Sequence, residues 1–350
     1  MRFLRLSSPE IPGRLLSFTL LSCVIALPTF QSALATEIYK DWAVACDNTR
    51  HCEAIGFQNQ DSVSAPVLLY LQRDAGPATL VQATFIALSE DGVHDQPLTV
   101  RINKLTLHGV KSDRPLSPDQ VRRLLPMLLD APEARLTDGK TTWILSLAGL
   151  KAALLKMDDA QGRLRTPGAL VRKGSKPEST ALPALSAPVW QQAPLAPARK
   201  GDEKLLIPIL NTIKDRTCWG EVPDNYEPDA SLTRLTGTQV LVMRECSRHA
   251  YQISYAAWVA NDKPPYNPQR VILPTDSGEM VDYAMNADFE GGILSTYAKG
   301  RGLFDCGGIA SWVWTVSGFK LLEEAVQPLC RGFTGGGIFM LRTWKATVRH

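Results

Sequence analysis

Tyr251-Gln252-Ile253-Ser254-Tyr255-Ala256-Ala257-Trp258-Val259 carries the clearest structural signal in the chain. Tyr251, Ile253, Tyr255 and Val259 fall at alternating positions against Gln252, Ser254 and Trp258, the period of a strand whose sheet has unlike faces. Further apolar or β-branched runs follow the same logic at 240–243, 271–273, 280–285, 293–298 and 312–315. Residues 319–322 are placed to fold back on the strand at Trp312 across Val316-Ser317-Gly318. Several short strands at modest spacing predict an antiparallel sandwich, barrel or meander.

Working back from there, residues 67–71, 80–88, 98–107 and 141–145 also read as strands between polar or Gly/Pro turns. Two helices are expected among them. Ser117-Pro118-Asp119-Gln120 offers an N-cap, a proline at the first helical position and a Gln placed for a capping box. Val121, Leu124, Leu125 and Leu128 then share a face, with Pro126 expected to kink or end the helix early. Leu147, Leu150, Leu154 and Met157 form a second stripe, ending near Gly162. The fold class expected is mainly β with some α, as two disulfide-braced β-rich domains.

The boundary between those domains is read from composition. Between Lys173 and Lys204, Pro177, Pro183, Pro188, Pro194 and Pro197 are interspersed with Ala, Ser, Gln and Lys without helical or strand period. Such a segment favours an extended, semi-stiff spacer over a packed element. The resulting plan is a leader at 1–35, an N-terminal β-rich domain with packed helices at 36–174, a Pro/Ala-rich linker at 175–203 and a C-terminal antiparallel β domain at 204–350.

The leader is read from Arg2, Arg5 and Arg14, the apolar run 15–27, and the small-residue site Ala33-Leu34-Ala35, with cleavage expected after Ala35. The run is about 13 residues, short of the roughly 20 that cross a bilayer. A periplasmic or secreted destination follows, with no transmembrane span in the mature protein. Cleavage removes Cys23 and leaves Cys46, Cys52, Cys218, Cys246, Cys306 and Cys330, an even set in an oxidising compartment. If the halves fold separately, Cys46 and Cys52 have only each other. Three pairings remain for the other four, of which the sequential one, Cys218 with Cys246 and Cys306 with Cys330, is chosen.

The whole chain has 350 residues, 45% of them hydrophobic and 21% charged, with a net charge of +3. That composition argues against disorder, a polytopic membrane protein and the strong basic excess of a nucleic-acid binder. The sequence resembles the domain of unknown function 1176 family of exported bacterial proteins. The likeness is carried by residues 41–52, Asp-Trp-Ala-Val-Ala-Cys-Asp-Asn-Thr-Arg-His-Cys, by Ala152-Ala153-Leu154-Leu155-Lys156-Met157-Asp158-Asp159, and by Lys299-Gly300-Arg301-Gly302 running into Asp305-Cys306-Gly307. It continues through Trp312-Val313-Trp314, Phe319 and Cys330-Arg331-Gly332. The first half is also similar, more distantly, to invasion-associated locus B proteins, through its early Trp-x-Val-x-Cys and Leu147-Ala148-Gly149-Leu150. These resemblances imply a secreted or periplasmic β-rich protein and carry over no catalytic residues.

No catalytic constellation stands out. His51, His94, His108, His249 and His350 are dispersed, and neither a metal-ligand spacing nor a Gly-x-Ser-x-Gly elbow is present. No catalytic residue, metal or cofactor is therefore assigned. Lys299, Arg301 and Asp305 are candidate ligand-binding residues, because two glycines let backbone N–H groups approach an anion beside two cations. A tight turn before a disulfide explains the same residues and is the favoured reading. Asp47, Asn48 and Arg50, inside the small cystine loop, are candidates for contact with a partner, against the plainer reading of a rigid hairpin tip. Trp312 and Trp314 are expected in the core, and Glu323-Glu324 is a poor acid pair because strand neighbours face opposite sides. The function expected is that of a binding or structural module of the envelope, its partner an envelope protein, a glycan or a small anion, and not nucleic acid. The alternatives are a cell-wall or glycan hydrolase and an inhibitor of periplasmic hydrolases.

Overall fold

Along Trp42–Cys46 and Cys52–Phe57 every residue is buried, where a strand with one wet face would alternate. The cause is coverage from both sides. The computed structural model describes residues 36–214, 218, 226–333 and 339–350, so the expected leader lies outside it. In it these strands belong to an antiparallel meander of Glu37–Tyr39, Trp42–Cys46, Cys52–Phe57, Val67–Arg73 and Gln82–Ser89, each paired with its neighbour in the chain. One face, including Trp42, Val44, Leu69, Leu71 and Phe85, packs against Leu98, Val100, Leu136 and Trp143 of a second sheet and against both helices. The opposite face, including Ala43, Ala45, Ile55, Phe57 and Leu68, packs against Leu329, Phe333 and Leu341 from the end of the chain.

The second sheet runs in the order Thr142–Ser146, Glu133–Thr137, Leu98–Ile102, Leu105–Val110. Its last two strands correct the single strand expected at 98–107: the chain reverses at Asn103, whose φ is 50°, and pairs Ile102 with Leu105. Helix α1, Pro118–Leu129, begins as expected, the Ser117 side chain accepting the Gln120 N–H and Gln120 accepting the Ser117 N–H. It does not stop at Pro126. Leu128, beyond the proline, is 1% exposed, and its burial offsets the backbone hydrogen bond that proline removes. Helix α2, Leu150–Ala160, buries the expected Leu150, Leu154 and Met157.

The C-terminal half contributes two further antiparallel sheets. One is ordered Ala230–Arg234, Gln239–Arg248, Ile253–Asn261, Gln269–Arg270, with Ala284–Met285 also paired to its third strand. The other runs Asp288–Glu290, Ile293–Lys299, Gly307–Thr315, Gly318–Gln327, Leu341–Lys345. The expected hairpin is there, pairing Trp314 with Phe319 and Thr315 with Gly318. Leu241, Met243 and Ala257 of the first sheet pack on Leu294, Trp312, Trp314 and Phe319 of the second. The strand Ile253–Asn261 is covered on both sides, since Trp258 packs with Cys218 and Ala260 with Ile209. Tyr251 falls just before it and is exposed. No sheet closes into a barrel among the described residues.

Residues 175–203 follow an irregular, mostly exposed course with 3₁₀ turns at Glu178–Thr180 and from Asp202, and are tied at intervals to both halves of the chain. The Leu182 N–H donates to Gln161 O and the Leu185 N–H to Thr49 O in the first half. Val189–Gln191 then pairs in parallel with Thr347–Arg349, and the Ala193 N–H donates to Trp314 O. Small residues make this possible, because Ala181 and Ala193 are buried without needing a wide cavity. The described residues fall within one compact unit.

Candidate functional site

Three disulfides join Cys46 to Cys52, Cys218 to Cys246 and Cys306 to Cys330. The first closes the loop carrying Asp47, Asn48 and Arg50, and the structure turns those residues inward. The Asp47 carboxylate is 4% exposed. Its Oδ1 accepts the Thr49 N–H (2.8 Å), the Thr49 hydroxyl (2.6 Å) and the His51 N–H (3.1 Å), while Oδ2 accepts Arg342 Nε (2.7 Å). Asn48 bonds the Lys345 backbone both ways, and Arg50, at φ 66°, donates to Pro183 O (2.8 Å). Glu53 accepts the Arg342 backbone N–H (2.7 Å). His51 stands between Asp74 (2.7 Å) and Glu53 (3.3 Å). Burial pulls its imidazole down, but those two carboxylates outweigh it and hold the ring's pKa above its ordinary value. The loop thus fastens the first half to the last strand of the sheet opposite.

Lys299, Arg301 and Asp305 are brought together as a braced turn. Arg301 forks onto Asp305, with Nε to Oδ1 at 2.6 Å and a second contact from Nη2 to Oδ2, and the Gly332 N–H donates to the same carboxylate (2.6 Å). Burial would raise the Asp305 carboxyl, but Arg301 and the Gly332 N–H hold it below the usual carboxylate range. Gly300 is required here, because a Cβ would lie 2.6 Å from Cys306 Sγ. Asp305, Cys306 and Cys330 cluster within 4.8 Å, yet both sulfurs are spent in the disulfide, leaving no thiolate to ligate a metal. Lys299 differs from the other two. Its Nζ lies 5.9 Å from the Tyr297 ring and 5.8 Å from Phe304, two rings whose centroids are 5.5 Å apart.

Tyr297 in turn lines a groove of about 420 Å³ on the outer face of the last sheet. Strand register sets Asp288 beside Ser295, Ser295 beside Ser311, and Ser311 beside Glu323, one polar row crossing four strands. Trp312 and Trp314 point to the opposite face and are buried, as expected. Among the described residues the side chains of Asp288, Ser295, Ser311 and Glu323 have no partner. Ile293 and Ile309 add apolar wall, and Tyr297 is 40% exposed. Two carboxylates and two hydroxyls beside an open aromatic face match a polyhydroxylated ring, whose O–H groups donate to carboxylates and whose C–H face stacks on tyrosine. The same carboxylates repel an anion.

A family model matches residues 36–347, nearly all of the chain beyond the expected leader. The chain belongs to the family described as Protein of unknown function (DUF1176). It is 29% identical over 327 residues to "Uncharacterized protein YpfG" of Escherichia coli (strain K12), an alignment covering 87% of this chain and 91% of that protein. No solved structure matches. In this DUF1176 member, the groove residues were hidden in plain pattern. The alternation Ile293, Ser295, Tyr297 marks an outward face, but only cross-strand register brings Asp288 and Glu323 to it. Glu324, the other half of the acidic step, is half-buried and accepts the Asp276 N–H (2.8 Å). Burial pushes its carboxyl up to about 7, with the Asp276 N–H opposing and the Asp276 charge adding to the rise.

Proposed function

We propose that the protein is an exported envelope protein that binds glycan along the Asp288–Ser295–Ser311–Glu323 row. The observation that carries this reading is that four adjacent polar side chains, free of internal partners, lie in one row beside an exposed tyrosine. Paired cysteines support an oxidising compartment, as does the leader read from the sequence. Binding is favoured over cleavage by spacing. Asp288 and Glu323 stand three strand intervals apart, about 14 Å, wider than the roughly 5–10 Å between the carboxyl pairs of glycosidases.

Titration calorimetry with soluble fragments of bacterial cell-wall glycan tests the reading. Tyr297→Ala and the pair Asp288→Asn with Glu323→Gln should each weaken binding at least tenfold while leaving the melting temperature in place. Absence of saturable binding, or variants that bind like the parent, would reject it. Release of reducing ends that vanishes in Glu323→Gln would replace binding with hydrolysis.

A further inference from the structure

Helix α1 is apolar over a wider arc than its own packing uses. Val121, Leu124 and Leu128 are buried in the core, whereas Leu125 and Leu129 are half-buried and face a second groove. Its other wall is formed by Leu80 and Val81 and by the loop through Leu170. Leu80 stands at the lip, 69% exposed. The volume, about 710 Å³, falls in the roughly 300–1,000 Å³ range of small-molecule sites.

The wall opposite helix α1 is braced by a buried network. Arg73 is 5% exposed and donates from Nε to Thr79 O (3.1 Å) and from Nη1 to Gly168 O (2.9 Å), tying together the two segments that form the wall opposite helix α1. Asp158 Oδ2 accepts the Leu170 N–H (2.7 Å) and the Val171 N–H (3.2 Å). Glu178 accepts the Gly168 N–H (2.9 Å) and pairs with Arg163 (3.0 Å). A wall fixed in this way loses little entropy when a ligand enters.

The segment leading to the groove's Lys173 is basic. Between Gly162 and Pro177 the chain carries Arg163, Arg165, Arg172, Lys173 and Lys176 and no acidic residue. Arg163 is consumed inside, but the other four are exposed and form no ion pair among the described residues. Lys173 lines the groove, as does Arg122, which is paired with the exposed Asp119, and among the described residues no carboxylate lines it. A long apolar floor with a cationic rim is complementary to one kind of molecule.

We propose that this groove binds a single-chain anionic amphiphile of the fatty-acid class, its chain along Leu125, Leu129 and Leu170 and its carboxylate at Lys173. The site is separate from the glycan row and does not depend on it. Calorimetry on the full chain would compare dodecanoate, dodecyl maltoside and dodecyltrimethylammonium, each below its critical micelle concentration. Dodecanoate should saturate at one per chain and bind at least tenfold more tightly than the neutral compound, with the cation weakest. Lys173→Glu, on an exposed side chain, should weaken dodecanoate at least tenfold and leave dodecyl maltoside unchanged. Leu80→Glu, at the exposed lip, should weaken both. Equal binding of all three amphiphiles, no uptake of monomeric dodecanoate, capture only by anionic vesicles, or dodecanoate affinity unmoved in Lys173→Glu would each overturn the proposal.

Discussion

Replacing Glu324 with Gln should stabilise the protein at alkaline pH and do little in acid. In the unfolded chain this carboxyl titrates near 4.5, and in the fold burial pushes it up to about 7. The folded state therefore holds a proton that the unfolded state releases, so stability falls as pH rises between those two values and levels off above the higher one. A fully shielded group moved that far would cost roughly 3 kcal/mol, and partial exposure of Glu324 reduces the expected figure to about 1–2 kcal/mol. Gln removes the ionisation and keeps an oxygen for the Asp276 N–H, which donates to Glu324 Oε2 at 2.8 Å. Urea denaturation at pH 5 and pH 8, at constant salt, measures the difference. The Gln variant should gain about 1–2 kcal/mol over the parent at pH 8 and match it within about 0.5 kcal/mol at pH 5. Glu323→Gln, one residue away and exposed, should move neither. A gain of equal size at both pH values, or one larger in acid, would refute the assignment.

Removing Arg342 with Arg342→Ala leaves the buried Asp47 carboxylate without its cation, at a cost of about 2–3 kcal/mol by denaturant midpoint. His51→Gln should cost more at pH 5.5 than at pH 9, because an imidazole whose pKa is raised contributes stability below its unfolded value and loses it as pH rises through the folded one. Replacing both Cys46 and Cys52 with Ser should lower stability by about 2 kcal/mol, and replacing both Cys306 and Cys330 by about 3.5 kcal/mol, since the second loop is longer. Thermal melts of the two double variants check that order.

Much of the fold was legible because strand period and capping chemistry are local. The capping box at Ser117 and Gln120, the stripe through Leu150, Leu154 and Met157, and the hairpin returning at Gly318 all depend on neighbours within a few residues. The reversal at Asn103 was less visible, since no Gly or Pro marks it. Proline composition marks residues 175–203 as irregular, but the hydrogen bonds that anchor them depend on partners as distant as Trp314 and Arg349. The site was the least legible part. Lys299, Arg301 and Asp305 were found as a cluster, whereas the row beside them needs Asp288 and Glu323 to fall in one line across two intervening strands, which no spacing encodes. Asp47, Asn48 and Arg50 were singled out for a loop that looked free, and their partners lie at Pro183, Arg342 and Lys345.

The pairing of Val189–Gln191 with Thr347–Arg349 joins segments far apart in the chain. A ribosome must therefore synthesise residues 347–349 before the segment at 189–191 can dock on them, and the loop at Asp47 likewise waits for Arg342, almost three hundred residues later in synthesis. These contacts therefore close late, after both of their partners have been synthesised.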